Sequence, residues 1–554
     1  MSTLLRSPDQ FAMVLDAALR LEDQSVALPT DYNELQNHLF SAPEEFRREQ
    51  SAPPELRKMG LPPWTGSSSQ RFVLVTGSNS GLGLATCERL IDEFLTSPSR
   101  DPLSHLIIIA STRSPRKTAE TINSLRQHLQ KLAKTSTELE KRGSSQSKEY
   151  QSRDAVARIH FLGAEVDLCD LRGIYKFAAQ IRGEEGGLSS PDTEDGRPGL
   201  KNVIIPRLDV LYLNAGIGGW TGIPWVLAIY KAIVGIPDSF SYWKWFIFPS
   251  PAAVVPKQSS FNKSAKSETQ KLTNGGDVAE EPPLGQVFCA NVFGHYLLAH
   301  ELMPLLSTSL DREPGDRARV IWVSTLEPDP SDIPSMDDLQ GFTAPNPYYC
   351  SKRVTDLMAT TAKLPALQPI NSDFFAMRDS ITPKPEGESE GKIKLIRPEF
   401  YVTQPGILHT NISGMNPFAA FFMALGFYIA RVLGSVWHPI TGYLGAVAPV
   451  WIGLADQSML DALDTRAGPE GKVKWGSSTD WWAKERVRMT EVVGWGWSGY
   501  VGEKGEKKGR APHAVDLTPE AREEFVADGR AVWAYLEGLR REWEGRLKVG
   551  DAAR

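Results

Sequence analysis

Short apolar runs recur along the chain, separated by longer stretches whose apolar residues fall three and four apart. Phe72–Thr76, Leu106–Ala110, a run ending at Val166–Leu168, Leu208–Leu213, Arg319–Val323 and Phe400–Thr403 have the length and residue content of strands. Between them, Ala85, Leu90, Ile91 and Leu95, the polar stretch Arg116–Glu140, Leu171–Ile181 and Val287–Leu306 have helical spacing. Strands that are apolar on both faces and alternate with helices predict an α/β fold, a doubly wound parallel sheet covered on each side.

Polar tracts divide this pattern. Residues 1–70 read as an appendage and linker, with a short amphipathic helix at Phe11–Leu21 and a Pro-, Glu- and Arg-rich Ser41–Trp64. Residues 71–500 read as the main domain, with polar inserts at about 134–154, 183–200, 256–283 and 380–393. Gly218–Ser250 is dense in aromatic residues, among them Trp220, Trp225, Tyr242, Trp243 and Trp245, and could line an apolar pocket or rest in a headgroup layer. Residues 418–454 are strongly apolar, interrupted ionically by Arg431 and His438, and short of the roughly 20 uninterrupted residues a spanning helix needs. They read as a pocket lid that also lies on a membrane face. Residues 501–554 read as a linker followed by a helix that Thr518 and Pro519 start, with Phe525, Val532, Leu536, Leu539 and Trp543 along one stripe.

Composition narrows the function classes. The apolar fraction of 41% excludes a wholly disordered chain, and a net charge of -6 gives no basic reason to expect nucleic acid as a partner. The four cysteines have neither C-x-x-C nor metal-ligand spacing, so reduced, cytosol-facing thiols are expected and no metal site.

The chemistry begins where the first strand stops at a glycine. In Arg71–Leu84, Thr76 is followed by Gly77, Ser80, Gly81, Leu82 and Gly83, and a helical pattern resumes at once. Such a strand-to-helix bend leaves backbone N–H groups free to hold a pyrophosphate. No acidic residue ends the second strand to accept ribose hydroxyls. Arg113 and Lys117 instead offer charge for a 2'-phosphate, which favours NADP(H). Asp167 could bond an adenine edge, and the fourth strand ends in Asn214, Ala215 and Gly216.

Further on, Tyr348 and Lys352 stand one helical turn apart. A ketone accepting hydride needs a proton on its oxygen, and a phenol's ordinary pKa near 10 is high for that task. A neighbouring ammonium favours the phenolate. Ser324 or Thr325, at a strand's C-terminal end, could hold the substrate oxygen in line. Asn291, inside an apolar helix, invites a structural or catalytic hydrogen bond.

Thr76–Gly83, Asn214–Gly216, Asn291, Ser324-Thr325 and Tyr348–Lys352 together resemble the motifs of the short-chain dehydrogenase/reductase family. Gly216–Ile223, Val320–Trp322, Ser351–Arg353 and Thr355–Leu357 are similar, within it, to the fungal 3-keto sterol reductases. The resemblance implies a Rossmann-type domain with Tyr348 as acid/base, Lys352 lowering its pKa and binding the nicotinamide ribose, Asn291 maintaining a relay water, and a hydroxyl orienting the carbonyl, for which Ser324 is preferred, with Thr325 as its substitute, over Ser335 in a downstream loop. It also implies that the Pro405-Gly406 turn faces the nicotinamide and that Thr410 bonds its carboxamide. The implied reaction is NADPH-dependent reduction of a 3-oxo group on a 4-demethylated sterol to the 3β-alcohol. The implied setting is the cytosolic face of the endoplasmic reticulum membrane or a lipid droplet, beside the other enzymes of sterol C-4 demethylation. A soluble reductase of another lipid or polyketide ketone and a non-catalytic dinucleotide-binding scaffold are the competing readings.

Overall fold

The computed structural model describes residues 62–552 apart from 66, 68, 146–149, 194, 195, 197, 225–229, 231–245, 251, 262–280, 309–311, 313, 314, 327, 377–395, 411–416, 467–471, 498–508, 512 and 513. The expected helix at Phe11–Leu21, most of the 256–283 insert, the 380–393 insert, and Trp225, Tyr242, Trp243 and Trp245 lie outside the described residues.

The strands are β1 (Gln70–Thr76), β2 (His105–Thr112), β3 (Ile159–Glu165), β4 (Val210–Leu213), β5 (Arg319–Val323), β6 (Glu399–Gln404), β7 (Lys474–Thr479) and β8 (Glu485–Thr490). They form one eight-stranded sheet in the order β3-β2-β1-β4-β5-β6-β7-β8. Every neighbouring pair is parallel except β7 and β8. The chain runs outward from β1 through β2 to β3, then returns to the other side of β1 as β4. That reversal opens a crevice above the carboxyl ends of β1 and β4, the place where such sheets bind ligands.

Helix α1 (Gly81–Thr96) follows β1, α2 (Pro115–Thr135) follows β2, and α3 (Leu171–Ile181) follows β3. Helix α4 is made of Gln286–Phe288, a π-helical turn Cys289–Phe293 and Gly294–Glu301. Then come α5 (Pro347–Thr361), α6 (Pro417–Val432), α7 (Val447–Leu454) and α8 (Pro519–Ala552). Alternation along β1 sends Phe72 and Leu74 into a core shared with α3, α4, α5 and α8, and Val73 and Val75 into a second core shared with α1, α2 and α7. The doubly wound α/β class expected from the sequence is therefore the observed one.

Several local expectations are corrected. The third strand ends at Glu165, so Asp167 stands two residues beyond it, its carboxylate accepting the Cys169 N–H at 2.9 Å. The tract around 134–154 is not simply a loop. Thr137–Ser145 and Ser152–Val156 are helical because Leu139 and Ala155 are drawn into the core, and that burial outweighs the weak propensity of the surrounding Ser and Gly residues. The apolar stretch 418–454 splits in two. Helix α6 turns Phe421, Phe422, Leu425, Tyr428, Ile429 and Val432 outward, whereas α7 buries Val447, Ala448, Val450 and Ile452 against α1 and the sheet. Strands β7 and β8 come from a stretch in which the hydrophobic pattern gave no strand. Along α8 the stripe Phe525, Val532, Leu536, Leu539 and Trp543 is buried as expected, and Trp533 Nε1 donates to the Met358 carbonyl of α5. Among the described residues, no helix is long and apolar enough to cross a membrane.

Candidate active site at the switch point

The bend after β1 is held in one conformation by its contacts. Gly77 has φ +67°, which a side chain would strain, and a Cβ at Gly83 would lie 2.2 Å from the Gly77 carbonyl oxygen, so α1 rests directly on the turn. Thr76 Oγ1 accepts the backbone N–H groups of Asn214 and Ala215 at 2.9 and 3.0 Å, and Asn214 Nδ2 donates to the Thr76 carbonyl at 3.0 Å. The ends of β1 and β4 are thereby locked together. Ser80 precedes α1 in extended backbone, Gly81 and Leu82 open the helix, and the Cγ2 methyl of Thr410 lies across from Gly81, 3.9 Å from where its Cβ would be. The turn through Pro405 and Gly406 brings Thr410 to that position, with the Gly406 N–H donating to Gln404 Oε1. Glycines at 77, 81 and 83 bring bare backbone to the bend at the start of α1, so these residues fit a dinucleotide's pyrophosphate.

Opposite this bend stands α5. Asn346 accepts the Tyr349 N–H and Pro347 opens the helix, which fixes where Tyr348 begins its first turn. The Thr325 hydroxyl lies near enough to the Tyr348 phenol to favour its ionised form. Ser324 Oγ turns away to the Lys352 carbonyl at 3.5 Å, and Ser335 is exposed, its hydroxyl accepting the Asp337 N–H. Thr325 is thus the hydroxyl that acts on the phenol in this structure, whereas the preferred Ser324 is bonded elsewhere. Trp220 packs edge-on over Tyr348 with ring centroids 5.4 Å apart, and Phe246 stacks on Trp220 at 4.2 Å.

Lys352 Nζ lies 5.6 Å from the Tyr348 ring centroid and donates to the Val323 carbonyl at 2.8 Å. Desolvation holds its pKa down to about 8; Asp356 works against that fall and Lys474 adds to it. Burial pushes the Tyr348 phenol up to about 12, with the Thr325 hydroxyl pulling the other way. That is opposite to the lowering expected from Lys352, whose charge is not among the causes acting on the phenol within the chain alone. Asn291 is more engaged than a water-relay role requires. Its Oδ1 accepts the Ile217 N–H at 2.8 Å, and its Nδ2 donates to the Ile217 carbonyl and to Ser351 Oγ, both at 3.1 Å. A Cβ at Gly216 would meet the same Oδ1 at 2.9 Å. Asn291 thus clamps the loop after β4 to α5.

Arg113 and Lys117 are exposed just beyond β2, on the rim the chain reaches from the glycine bend. No family model matches the chain. It is 41% identical to the 3-keto-steroid reductase of Gibberella zeae over 507 residues, 88% of this chain and 98% of that protein. The corresponding protein of Aspergillus fumigatus is 37% identical, over 87% of this chain and 96% of its own length. The chain belongs to the 3-keto-steroid reductase family. More distant in this family, the Schizosaccharomyces pombe reductase is 25% identical over 77% of the chain. Among solved structures, a 3-oxoacyl-[acyl-carrier protein] reductase from Brucella melitensis in complex with NAD covers 71% of the chain at 11% identity and a TM-score of 0.35, a likeness too loose to carry an argument.

Three residues of this reductase's site escaped the sequence reading. His295 Nε2 lies 2.9 Å from Thr76 Oγ1, and burial lowers its pKa to about 3, which keeps the ring neutral beneath the bend. Its signal was a histidine one turn after Asn291 inside an apolar helix. Asp356 and Lys474 form a fully buried pair at 2.6 Å behind Lys352. Asp356 stands one turn after Lys352, but nothing in the sequence pointed α5 at Lys474, 118 residues downstream.

Proposed function

We propose that this protein reduces the 3-oxo group of a 4-demethylated sterol intermediate to the 3β-alcohol with NADPH, at the surface of the endoplasmic reticulum membrane or a lipid droplet. The observation that carries the reading is the Lys352 ammonium 5.6 Å from the ring of Tyr348 on one face of α5, with Thr325 at the end of β5 beside the phenol. The kinship with the 3-keto-steroid reductases supports the substrate class. The cradle of Thr76, Gly77, Ser80, Gly81, Leu82 and Gly83 would hold the pyrophosphate, Asp167 the adenine, and Asn214, Ala215 and Gly216 the floor beneath the nicotinamide ribose. Pro405, Gly406 and Thr410 would close the nicotinamide side, and Arg113 and Lys117 would take the 2'-phosphate.

The bound dinucleotide supplies hydride to the carbonyl carbon. Thr325 and Tyr348 hydrogen-bond the ketone oxygen, so the charge developing there falls on two placed donors. As the C=O π bond breaks, Tyr348 gives its proton to that oxygen, and the nearby Lys352 ammonium stabilises the phenolate left behind. Asn291, His295 and Ser351 act through others, holding α5 and the bend in register. Trp220 covers the phenol with an apolar wall suited to a steroid ring.

The test is turnover of 4-desmethyl-3-oxosterols with NADPH and with NADH, beside a panel of unrelated ketones. The expected result is 3β-alcohol formation with NADPH, well above that from other ketones. Reduction of the control panel with none of the sterols would sink the substrate assignment.

A further inference from the structure

Exposed large apolar side chains are not scattered over this molecule. Of the fifteen among the described residues, nine belong to α6 with its following residue Leu433 and to the Trp481-Trp482 tip between β7 and β8. On α6, Phe421, Phe422, Leu425 and Val432 follow helical spacing along one outward stripe, Phe421 being 63% and Val432 64% exposed. The opposite face is anchored. Phe427 and Ala430 are buried, and Arg431 turns inward to donate to the His438 and Pro439 carbonyls at 2.8 and 2.7 Å. Trp482, 77% exposed, is the most exposed aromatic residue of the set.

These two segments, far apart in sequence, meet in space. The Thr479 N–H donates to the Val436 carbonyl at 2.9 Å and Thr479 Oγ1 to the His438 carbonyl at 3.1 Å, which ties the start of the β7–β8 turn to the chain leaving α6. A cavity of about 360 Å³ runs between them, with Val432, Leu433 and Ser435 on one side and Trp481, Arg486 and Arg488 on the other. The polar rim is cationic. The acidic residue at the tip, Asp480, is engaged by the Trp482 and Lys484 N–H groups at 3.0 and 2.8 Å and by Arg486 at 3.5 Å, while Lys484 is exposed.

We propose that α6 and the Trp481-Trp482 turn are one bilayer-docking surface. Phe421, Phe422, Leu425 and Val432 enter the boundary between headgroups and acyl chains, the two indoles sit at headgroup depth, and the exposed Lys484 faces anionic lipid. The occupant is a bilayer because the stripe has almost no hydrogen-bonding group with which to meet a protein, and interfaces between proteins carry about one such bond per 100–200 Å². A second copy related by a two-fold axis would set the cationic rim against itself. The helix leaves the chain beyond the Pro405–Thr410 turn and its return pairs Ile440 with Leu408, so the docked surface adjoins the rim of the candidate active site. Delivery of a water-insoluble ketone from the bilayer follows from that adjacency and rests on the reductase reading; the docking itself does not.

The purified full-length protein is sedimented with phosphatidylcholine vesicles, with and without phosphatidylserine, in the absence of substrate. Beside it run Phe421→Ser with Phe422→Ser, Trp481→Ser with Trp482→Ser, and Lys484→Glu. Each double variant is expected to lower vesicle partitioning about tenfold or more, and Lys484→Glu to remove part of the increment that phosphatidylserine gives. Parent-like partitioning of the tryptophan variant overturns the two-part surface, and so does loss of a dimer in light scattering with vesicle binding unchanged. NADPH binding by each variant reports its folding. Absence of turnover in the parent, with vesicle binding intact, would sink the reductase reading and leave this one standing.

Discussion

Helices α5 and α6 have nearly equal length and opposite relations to solvent. Every residue of α5 except Tyr348 is buried, and the buried set includes Lys352, Arg353 and Asp356. Helix α6 has one ionic residue, Arg431, which it buries, and it turns phenylalanines outward. Each helix inverts the usual rule that charge faces water and grease faces the core. Charges are tolerated inside α5 because each has a partner: Lys352 has the Val323 carbonyl, Asp356 has Lys474, and Arg353 donates to the Val493 carbonyl at 2.8 Å. A dry, fully fixed set of charges is what a proton-transfer site needs, whereas an exposed apolar stripe is what a lipid boundary needs. If the comparison is right, damage to the two helices separates cleanly.

The largest separation is expected at Tyr348. Tyr348→Phe should lower kcat/KM by about 10²–10⁴ while NADPH binding is retained, because the proton donor alone is removed. Phe421→Ser should leave turnover of a detergent-dispersed ketone at the parent level. Equal losses in both would break the comparison.

The Asp356–Lys474 pair tests whether α5 depends on compensation. Lys474→Met leaves a buried carboxylate alone and should cost about 3–5 kcal/mol, read from the denaturant midpoint, whereas Asp356→Leu combined with Lys474→Met should recover most of that loss. Equal destabilisation by the single and the double variant would mean that the pair serves packing and not charge balance. Nearer the phenol, Thr325→Val should lower kcat about 10²-fold and Ser324→Ala much less, since Thr325 is the hydroxyl that acts on Tyr348 while Ser324 Oγ is turned to the Lys352 carbonyl.

The same burial sets a pH dependence. Lys352 is held down to about 8 from an ordinary 10.5, and the Tyr348 phenol is pushed up to about 12. Above pH 8 the ammonium is lost while the phenol keeps its proton. The reductive kcat/KM should therefore fall as pH rises through about 8, by at most about tenfold per unit. Stability moves the other way for this one group. The folded state disfavours its charged form, so its unfavourable contribution is full below pH 8 and gone above 10.5. In Lys474→Met the falling limb should move to higher pH, because a like charge that lowers Lys352 is gone and Asp356, which raises it, remains. A limb that stays in place would exclude Lys474 from the site's electrostatics.

The contrast between the helices also explains what could be read in advance. The strands up to β6 and the pairing of Tyr348 with Lys352 were legible because hydrophobic period and helical spacing are local properties. The choice between Ser324 and Thr325 was not legible, because which of two adjacent hydroxyls faces the cleft depends on how the chain leaves β5, a twist no spacing encodes. Strands β7 and β8 were missed because Lys474, Gly476, Ser477 and Ser478 look polar, yet all are buried, and Lys474 is neutralised by a residue on another element. The apolar stretch 418–454 was legible as grease, but its division into an outward α6 and an inward α7 is fixed by contacts around His438 and Pro439.

Arg113 gives the smallest effect and lies between the two regimes. It is exposed, like the α6 stripe, yet it belongs to the cofactor cleft, and no hydrogen bond or ion pair holds its guanidinium among the described residues. Its attraction for a 2'-phosphate therefore acts through solvent and one flexible side chain, unlike the buried contacts of α5. Arg113→Ala should raise KM for NADPH about tenfold, raise KM for NADH far less, and leave kcat nearly unchanged, because the lost contact is equally strong in ground and transition states. Raising the salt concentration should shrink the difference between the parent and variant KM values for NADPH, as it does for exposed charges. Equal rises for both cofactors would mean that the 2'-phosphate is recognised elsewhere on the rim, and a fall in kcat would mean that Arg113 belongs, with Lys352, to the part of the molecule where position matters more than charge.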